Sequence, residues 1–89
     1  MKINFKELVV KNIDDSVFDK GGKTVANIIY QLSNKDLSLL DIARDIFKDK
    51  EVELTQVQTD EVKRLLQDEK VTIPAFQLKA ILDYIDNYK

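Results

Sequence analysis

The spacing of apolar residues changes near Thr24, and this change constrains the fold more than any other feature of the sequence. Before that point, Ile3 and Phe5 alternate with polar residues, and a short run of strand-forming residues follows. After it, apolar residues recur three and four positions apart, which is the spacing of one helix face. The sequence therefore predicts a mostly helical α+β domain, in which an N-terminal β-hairpin packs on a bundle of about four short helices.

The hairpin is predicted within residues 1–19. Its turn would be the segment NIDDS, because Asn and Asp side chains bond their own backbone and tolerate tight conformations. Val17 and Phe18 would begin the returning strand, which two consecutive glycines then end. A two-stranded hairpin alone is only marginally stable in water, so this one is expected to pack on the helices.

The helices are predicted between residues 24 and 88, and the segment from Leu39 to Phe47 carries the clearest apolar stripe. The segment SNKD interrupts the pattern before it, and KDKEVEL forms a charged connector after it. Each helix is expected to turn its stripe towards one shared core. The residues of the four stripes, in chain order, are Val25, Ile28, Ile29 and Leu32; Leu39, Leu40, Ile42, Ala43, Ile46 and Phe47; Val62, Leu65 and Leu66; and Leu78, Ile81, Leu82 and Ile85.

Several residues have the chemistry of helix starts. Thr24 is predicted to cap the first helix with its hydroxyl. The sequence TQVQ gives Thr55 and Gln58 the spacing of a capping box, while Thr59 is a rival cap for the same helix. Pro74 suits the first turn of the last helix, where no backbone N–H is needed.

The composition is that of one ordinary folded domain. The chain has 89 residues, of which 44% are hydrophobic, so it is long enough for a single core and too apolar for a disordered tail. Cysteine is absent, which excludes disulfides, a thiolate nucleophile and a Cys-based zinc site. No signal-like apolar run opens the sequence and no window is long enough to span a bilayer. The predicted location is therefore the cytoplasm of the producing cell, with no membrane partner.

The charge argues against nucleic acid as a partner. The net charge is −2, whereas a DNA-binding protein usually presents a basic face to the phosphates. A helix-turn-helix is the alternative reading, with DIARDIF as its first helix and DEVKRLL as its second. Lys63 and Arg64 would then contact DNA. The long connector between the two segments, and the two carboxylates that begin the second one, disfavour this alternative.

No catalytic or cofactor-binding residue is predicted. Histidine, the commonest general base, is absent, and no serine lies in a Gly-x-Ser-x-Gly context. The segment GGKT lacks the glycine spacing of a phosphate-binding loop. We therefore expect neither an enzyme, nor a cofactor, nor a small-molecule ligand.

No metal site is predicted either. Asn12, Asp14 and Ser16 have the alternating spacing of a calcium loop, but the required glycine and bidentate glutamate are missing. Asp41 and Asp45 lie one helical turn apart and would carry the weakest option, a small metal- or nucleotide-dependent enzyme. Surface carboxylates near Lys and Arg are the simpler interpretation of this pair.

Tyrosines beyond the core stripes suggest a contact surface for a protein. Tyr30 lies off the main face of the first helix, and Tyr84 and Tyr88 are surplus to the complete stripe of the last. Aromatic residues are enriched at protein interfaces, so these three are the predicted interface residues. Phe76 is expected to complete the core instead. The partner would be another protein or a second copy of this chain.

The order of features resembles a group of small phage- and prophage-encoded proteins of uncharacterised role. The segments that carry the resemblance are MKINFKELV, NIDDS, KTVANIIYQL, VELTQVQTDEVKRLL and PAFQLKAILDYI. The resemblance implies a bacterial or phage setting and no known enzymatic role, and it supplies no functional residues. The predicted function is accordingly a non-enzymatic interaction or assembly module.

Overall fold

A computed structural model of the chain describes residues 1–33 and 36–88. It confirms a mostly helical α+β domain with an N-terminal hairpin and four helices. The segment SNKD lies partly outside the described residues. The strands are β1 (Lys2–Ile3), β2 (Val9–Lys11), β3 (Val17–Lys20) and β4 (Val52–Glu53); a 3-10 turn covers Phe5–Glu7; and the helices are α1 (Lys23–Leu32), α2 (Leu37–Phe47), α3 (Gln56–Leu66) and α4 (Ala75–Asn87).

The hairpin consists of β2 and β3, which pair antiparallel. The Asn12 N–H donates to the Ser16 carbonyl at 2.8 Å, so residues 13–15 form the loop. Asp15 has φ 67°, a left-handed conformation that Asp tolerates and that often ends a three-residue hairpin loop. The segment NIDDS therefore forms the turn of the hairpin, as the sequence predicted.

The first residues do not belong to this hairpin. β1 pairs antiparallel with β4, with Lys2 opposite Glu53 and Ile3 opposite Val52. The hairpin predicted within residues 1–19 is thus shifted towards residues 9–20. Strands of two residues carry no periodic signal, so the sequence did not indicate this second ladder.

The helix starts follow local hydrogen bonding. The capping box is confirmed, because Gln58 N–H donates to the Thr55 hydroxyl and Thr55 N–H donates to the Gln58 side chain. The rival cap at Thr59 is wrong, since this residue lies buried inside α3. Asp36, which the sequence analysis did not single out, caps α2. Pro74 stands immediately before α4, at the cap position.

The prediction that Thr24 caps α1 is also wrong. The helix begins at Lys23, two residues earlier than a Thr24 cap requires, and the cap position is Gly22, which has no side chain to donate or accept. The Thr24 hydroxyl instead donates to a carboxylate oxygen of Asp19 at 2.7 Å. The buried Gln77 side chain donates to the same oxygen at 3.0 Å, so Asp19 joins β3 to the starts of α1 and α4.

One core holds these elements together. α1 packs along α2, and the hairpin rests against α4. The buried apolar residues of this core come from the 3-10 turn, the β1–β4 ladder, the residue before β2, the residue after β4, and all four helices. They are Ile3, Phe5, Leu8, Val25, Ala26, Ile29, Leu39, Ala43, Ile46, Val52, Leu54, Val62, Leu65, Leu66, Ile81 and Ile85.

Two aromatic residues assigned to the core lie at the surface. Phe47, the last residue of the predicted stripe in α2, is 45% exposed, because the helix ends there before its ring is covered. Phe76, expected to complete the core, is 44% exposed. Its ring meets the ring of Phe18 edge-on, with centroids 5.0 Å apart.

Within residues 1–33 and 36–88, no helix is long and apolar enough to cross a bilayer.

Candidate functional site

A groove of about 270 Å³ lies between α1 and α2. Its floor is made by Ala26 and Ala43, which are 2% and 1% exposed. Its walls include Tyr30 and Phe47, which are half-exposed. Asn27, Arg44 and Lys48 complete the lining. The groove is thus apolar at its base and polar or cationic at its rim.

The groove follows from a spacing that both helices share. Each helix places an alanine one turn before an aromatic residue: Ala26 before Tyr30 in α1, and Ala43 before Phe47 in α2. Residues four apart lie on the same helix face, so the small side chains leave a hollow that the large ones border. This repeated spacing is the signal that could have located the groove from the sequence. Only Tyr30 was singled out there.

The rim of the groove carries positively charged side chains. Arg44 and Lys48 line it, and the Lys23 ammonium lies 5.4 Å from the centroid of the Phe47 ring. None of these three cations takes part in the ion pairs found between described residues. Those pairs are Lys63 with Asp86, Arg64 with Glu61, and Lys79 with Asp83. A chain of net charge −2 therefore lines this groove with positive side chains that have no ion-pair partner among the described residues.

The other two predicted interface residues lie together at the end of α4, Tyr84 inside the helix and Tyr88 one residue after it. The rings of Tyr84 and Tyr88 are 5.3 Å apart, and both side chains are partly buried against the core. The Tyr84 hydroxyl donates to the Asn4 carbonyl, its ring packs on Phe5, and burial raises the pKa of this hydroxyl. No aromatic contact joins Tyr30 to this pair in the part of the chain that the structure describes. The structure therefore brings two of the three tyrosines together and leaves Tyr30 at the groove.

The residues of the DNA-binding alternative have carboxylate partners. The Lys63 ammonium lies 2.5 Å from an Asp86 oxygen. The Arg64 guanidinium donates to Glu61, which raises the pKa of Arg64 and lowers that of Glu61. These exposed pairs reduce the positive charge that either side chain would offer to phosphate.

The carboxylates considered for metal or acid–base chemistry do not form a site with others. Asp41 is exposed and Asp45 is half-buried. Among residues 1–33 and 36–88, no three His, Cys, Asp or Glu side chains cluster closely enough to hold a metal ion. Arg44 makes no ion pair with either aspartate within the described residues.

The tip of the hairpin is a second exposed feature, which the sequence did not indicate as a contact surface. Ile13 is fully exposed there, next to Asp14 and Asp15. Asp14 accepts from both the Ser16 hydroxyl, at 2.6 Å, and the Ser16 N–H, at 3.1 Å. The hydroxyl bond in particular holds the pKa of Asp14 below its ordinary value, so this carboxyl is ionised at neutral pH. The loop is thus internally bonded while its one apolar side chain faces solvent.

Comparisons with protein-family models, with curated proteins and with solved structures find no match for this chain.

Proposed function

We propose that this chain is a non-enzymatic protein-interaction module whose α1–α2 groove receives an apolar side chain from an acidic segment of another protein or of a second copy of this chain. The observation that carries the proposal is an apolar groove bordered by Tyr30 and Phe47 and surrounded by three cations without ion-pair partners among the described residues. Aromatic residues and Arg are enriched in protein interfaces, and charges around an apolar centre select partners of opposite charge.

The size of the groove favours a side chain over a small molecule. Pockets for small-molecule ligands usually measure about 300–1,000 Å³ and enclose most of the ligand. This groove has about 270 Å³ and lies open between two helices. It suits one anchor residue, with the rest of the partner segment running over the rim.

The setting of this activity is part of the proposal. A phage or prophage origin, and with it the cytoplasm of a bacterial host, is supported by the sequence resemblance. A helix-turn-helix regulator is the alternative function. The groove is favoured because its cations are free of carboxylate partners among the described residues, whereas Lys63 and Arg64 are paired.

A selection from a displayed random peptide library tests the proposal. Peptides enriched on the wild-type chain are expected to carry Asp or Glu around one aliphatic or aromatic residue. Tyr30→Ala should weaken their binding at least about tenfold, since an aromatic anchor at an interface is commonly worth more than about 1–2 kcal/mol. Arg44→Gln should also weaken peptide binding. The loss relative to the wild-type chain should be larger at low salt, because the lost attraction is electrostatic.

Two matched variants control for general effects. Phe76→Ala truncates an aromatic residue of similar exposure outside the groove, and Arg64→Gln removes an arginine that already has a partner. Both should leave peptide binding unchanged. The proposal fails if no peptides are enriched, or if Tyr30→Ala leaves the affinity of the enriched peptides unchanged. Binding to duplex DNA at low salt that Arg64→Gln weakens would establish the alternative instead.

A further inference from the structure

The chain itself carries a segment with the chemistry that the groove requires. The tip of the hairpin presents one fully exposed aliphatic side chain, Ile13, followed directly by Asp14 and Asp15. Most hairpin tips are made of Gly, Asn, Asp and Ser, because these residues tolerate turn conformations and interact with water. Here an isoleucine stands at the outermost position, where nothing in its own chain covers it.

The tip is held in one shape by its own hydrogen bonds. Asn12 N–H donates to the Ser16 carbonyl at 2.8 Å, and the Asn12 side chain donates to the Ser16 hydroxyl at 3.0 Å. Asp15 N–H donates to the Asn12 carbonyl at 3.0 Å. A loop already fixed in one conformation loses little entropy when it binds, so its exposed side chain can serve as a rigid anchor.

The charges of the tip and the groove are opposite. The carboxylates of Asp14 and Asp15 form no ion pair with the described residues, and neither do Lys23, Arg44 and Lys48 around the groove. The tip therefore offers an apolar residue beside two carboxylates, and the groove offers an apolar hollow beside three cations, none of them ion-paired with a described residue.

We infer that the groove of one copy receives the hairpin tip of a second copy, with Ile13 between Tyr30 and Phe47 and with Asp14 and Asp15 against Arg44 and Lys48. This inference rests on the proposed function of the groove and names its occupant. Tip and groove are different surfaces, so the contact can be either reciprocal or head-to-tail. It closes into a reciprocal pair or small ring if the rotation between copies allows, and it otherwise extends as a chain.

The contact is small, which sets its expected strength. One loop in one groove buries less than the roughly 1,200 Å² of a standard stable interface, so the association is weak and concentration-dependent. A reciprocal pair would form two such contacts and be correspondingly tighter.

Sedimentation equilibrium over a range of concentrations tests the inference. The average mass of the wild-type protein is expected to rise above that of a monomer. It should approach the mass of a dimer or ring if the assembly closes, and it should keep rising with concentration if the assembly is open. Ile13→Ser should weaken this association at least tenfold, and so should Tyr30→Ala. Val17→Ser, which removes another exposed apolar residue from the same hairpin, should have no effect.

A mixing experiment identifies the two surfaces as partners. Ile13→Ser keeps an intact groove, and Tyr30→Ala keeps an intact tip. Each variant alone should be monomeric, while an equimolar mixture should form one-to-one heterodimers that cannot grow, since only one complete contact is available.

The outcomes separate this inference from the function on which it rests. A wild-type chain that stays monomeric at every concentration, yet binds the selected acidic peptides, overturns self-association and leaves the groove a site for another protein. Self-association that ignores both Ile13→Ser and Tyr30→Ala overturns the inference in favour of a different surface. If the wild-type chain neither associates nor binds the peptides, both proposals fail.

Discussion

Phe5→Ala is expected to lower the free energy of unfolding by about 3–5 kcal/mol, the usual loss when a buried phenylalanine is truncated. Phe5 is 1% exposed, and its ring centroid lies 5.6 Å from that of Tyr84. It also packs on the backbone of Gly22 at the start of α1. Its removal leaves a cavity between the 3-10 turn, α1 and α4, which these elements cannot close without shifting.

The effect is large for a domain of this size, because typical total stabilities are about 5–15 kcal/mol. Urea denaturation followed by circular dichroism measures it. Phe5→Leu retains most of the apolar volume, so it should lower the free energy of unfolding clearly less than Phe5→Ala does. It also gives a measurable variant if the alanine variant does not fold. Phe18→Ala, the same truncation at a half-exposed ring, should also lower the free energy of unfolding less than Phe5→Ala does. A loss below about 1 kcal/mol for Phe5→Ala would contradict the central packing role assigned to this ring.

Gly22→Ala is expected to destabilise the fold by about 1–3 kcal/mol or more, through overpacking. An added Cβ would lie 2.6 Å from Ile46 Cγ2 and 2.8 Å from Phe5 Cβ, and both of these residues are buried. The backbone of Gly22, at φ −102° and ψ 7°, is open to other residues, so the loss would come from steric overlap rather than from torsional strain. Gly22 is therefore required by the close approach of α1 to α2 and to the 3-10 turn.

Gly22→Ser separates this steric effect from helix capping. Serine is a better N-cap than glycine, so Gly22→Ser would stabilise the chain if capping alone mattered. We expect it to destabilise instead, because it also adds a Cβ. Gly21→Asn isolates torsional strain at the neighbouring position: Gly21 has φ 85°, which L side chains rarely adopt and Asn tolerates best, whereas a Cβ there meets nothing closer than 3.6 Å. Urea midpoints for the three variants decide the question, and a stabilised Gly22→Ser would refute the overlap.

The elements with a strong local pattern were predictable. The stripe of α2 and the box formed by Thr55 and Gln58 each specify their structure within a few residues, because helix periodicity and capping are local effects. The start of α1 was placed wrongly because Thr24 had two possible partners. A hydroxyl can bond to the first turn of a helix or to another side chain, and the sequence does not show that Asp19 comes near.

The candidate site was predictable only in part. Tyr30 stood out because it lies off the apolar stripe of α1. Phe47 did not, since the spacing of a stripe cannot show how far along the helix the covering surface extends. Ile13 was overlooked because turn chemistry explains its neighbours and says nothing about exposure. Groove and tip both depend on which surfaces remain uncovered after the chain has packed, and that is a property of the tertiary structure.

The ladder between β1 and β4 has a consequence for the order of folding. It joins Ile3 to Val52, whereas the hairpin and the α1–α2 pair are made of contacts much closer in sequence. Bringing distant segments together costs loop-closure entropy before any contact repays it, so local elements can form first. We therefore expect Ile3→Val to speed unfolding and to leave the folding rate in stopped-flow experiments nearly unchanged. The ladder therefore forms late in folding, and it affects the lifetime of the native state more than the rate at which that state forms.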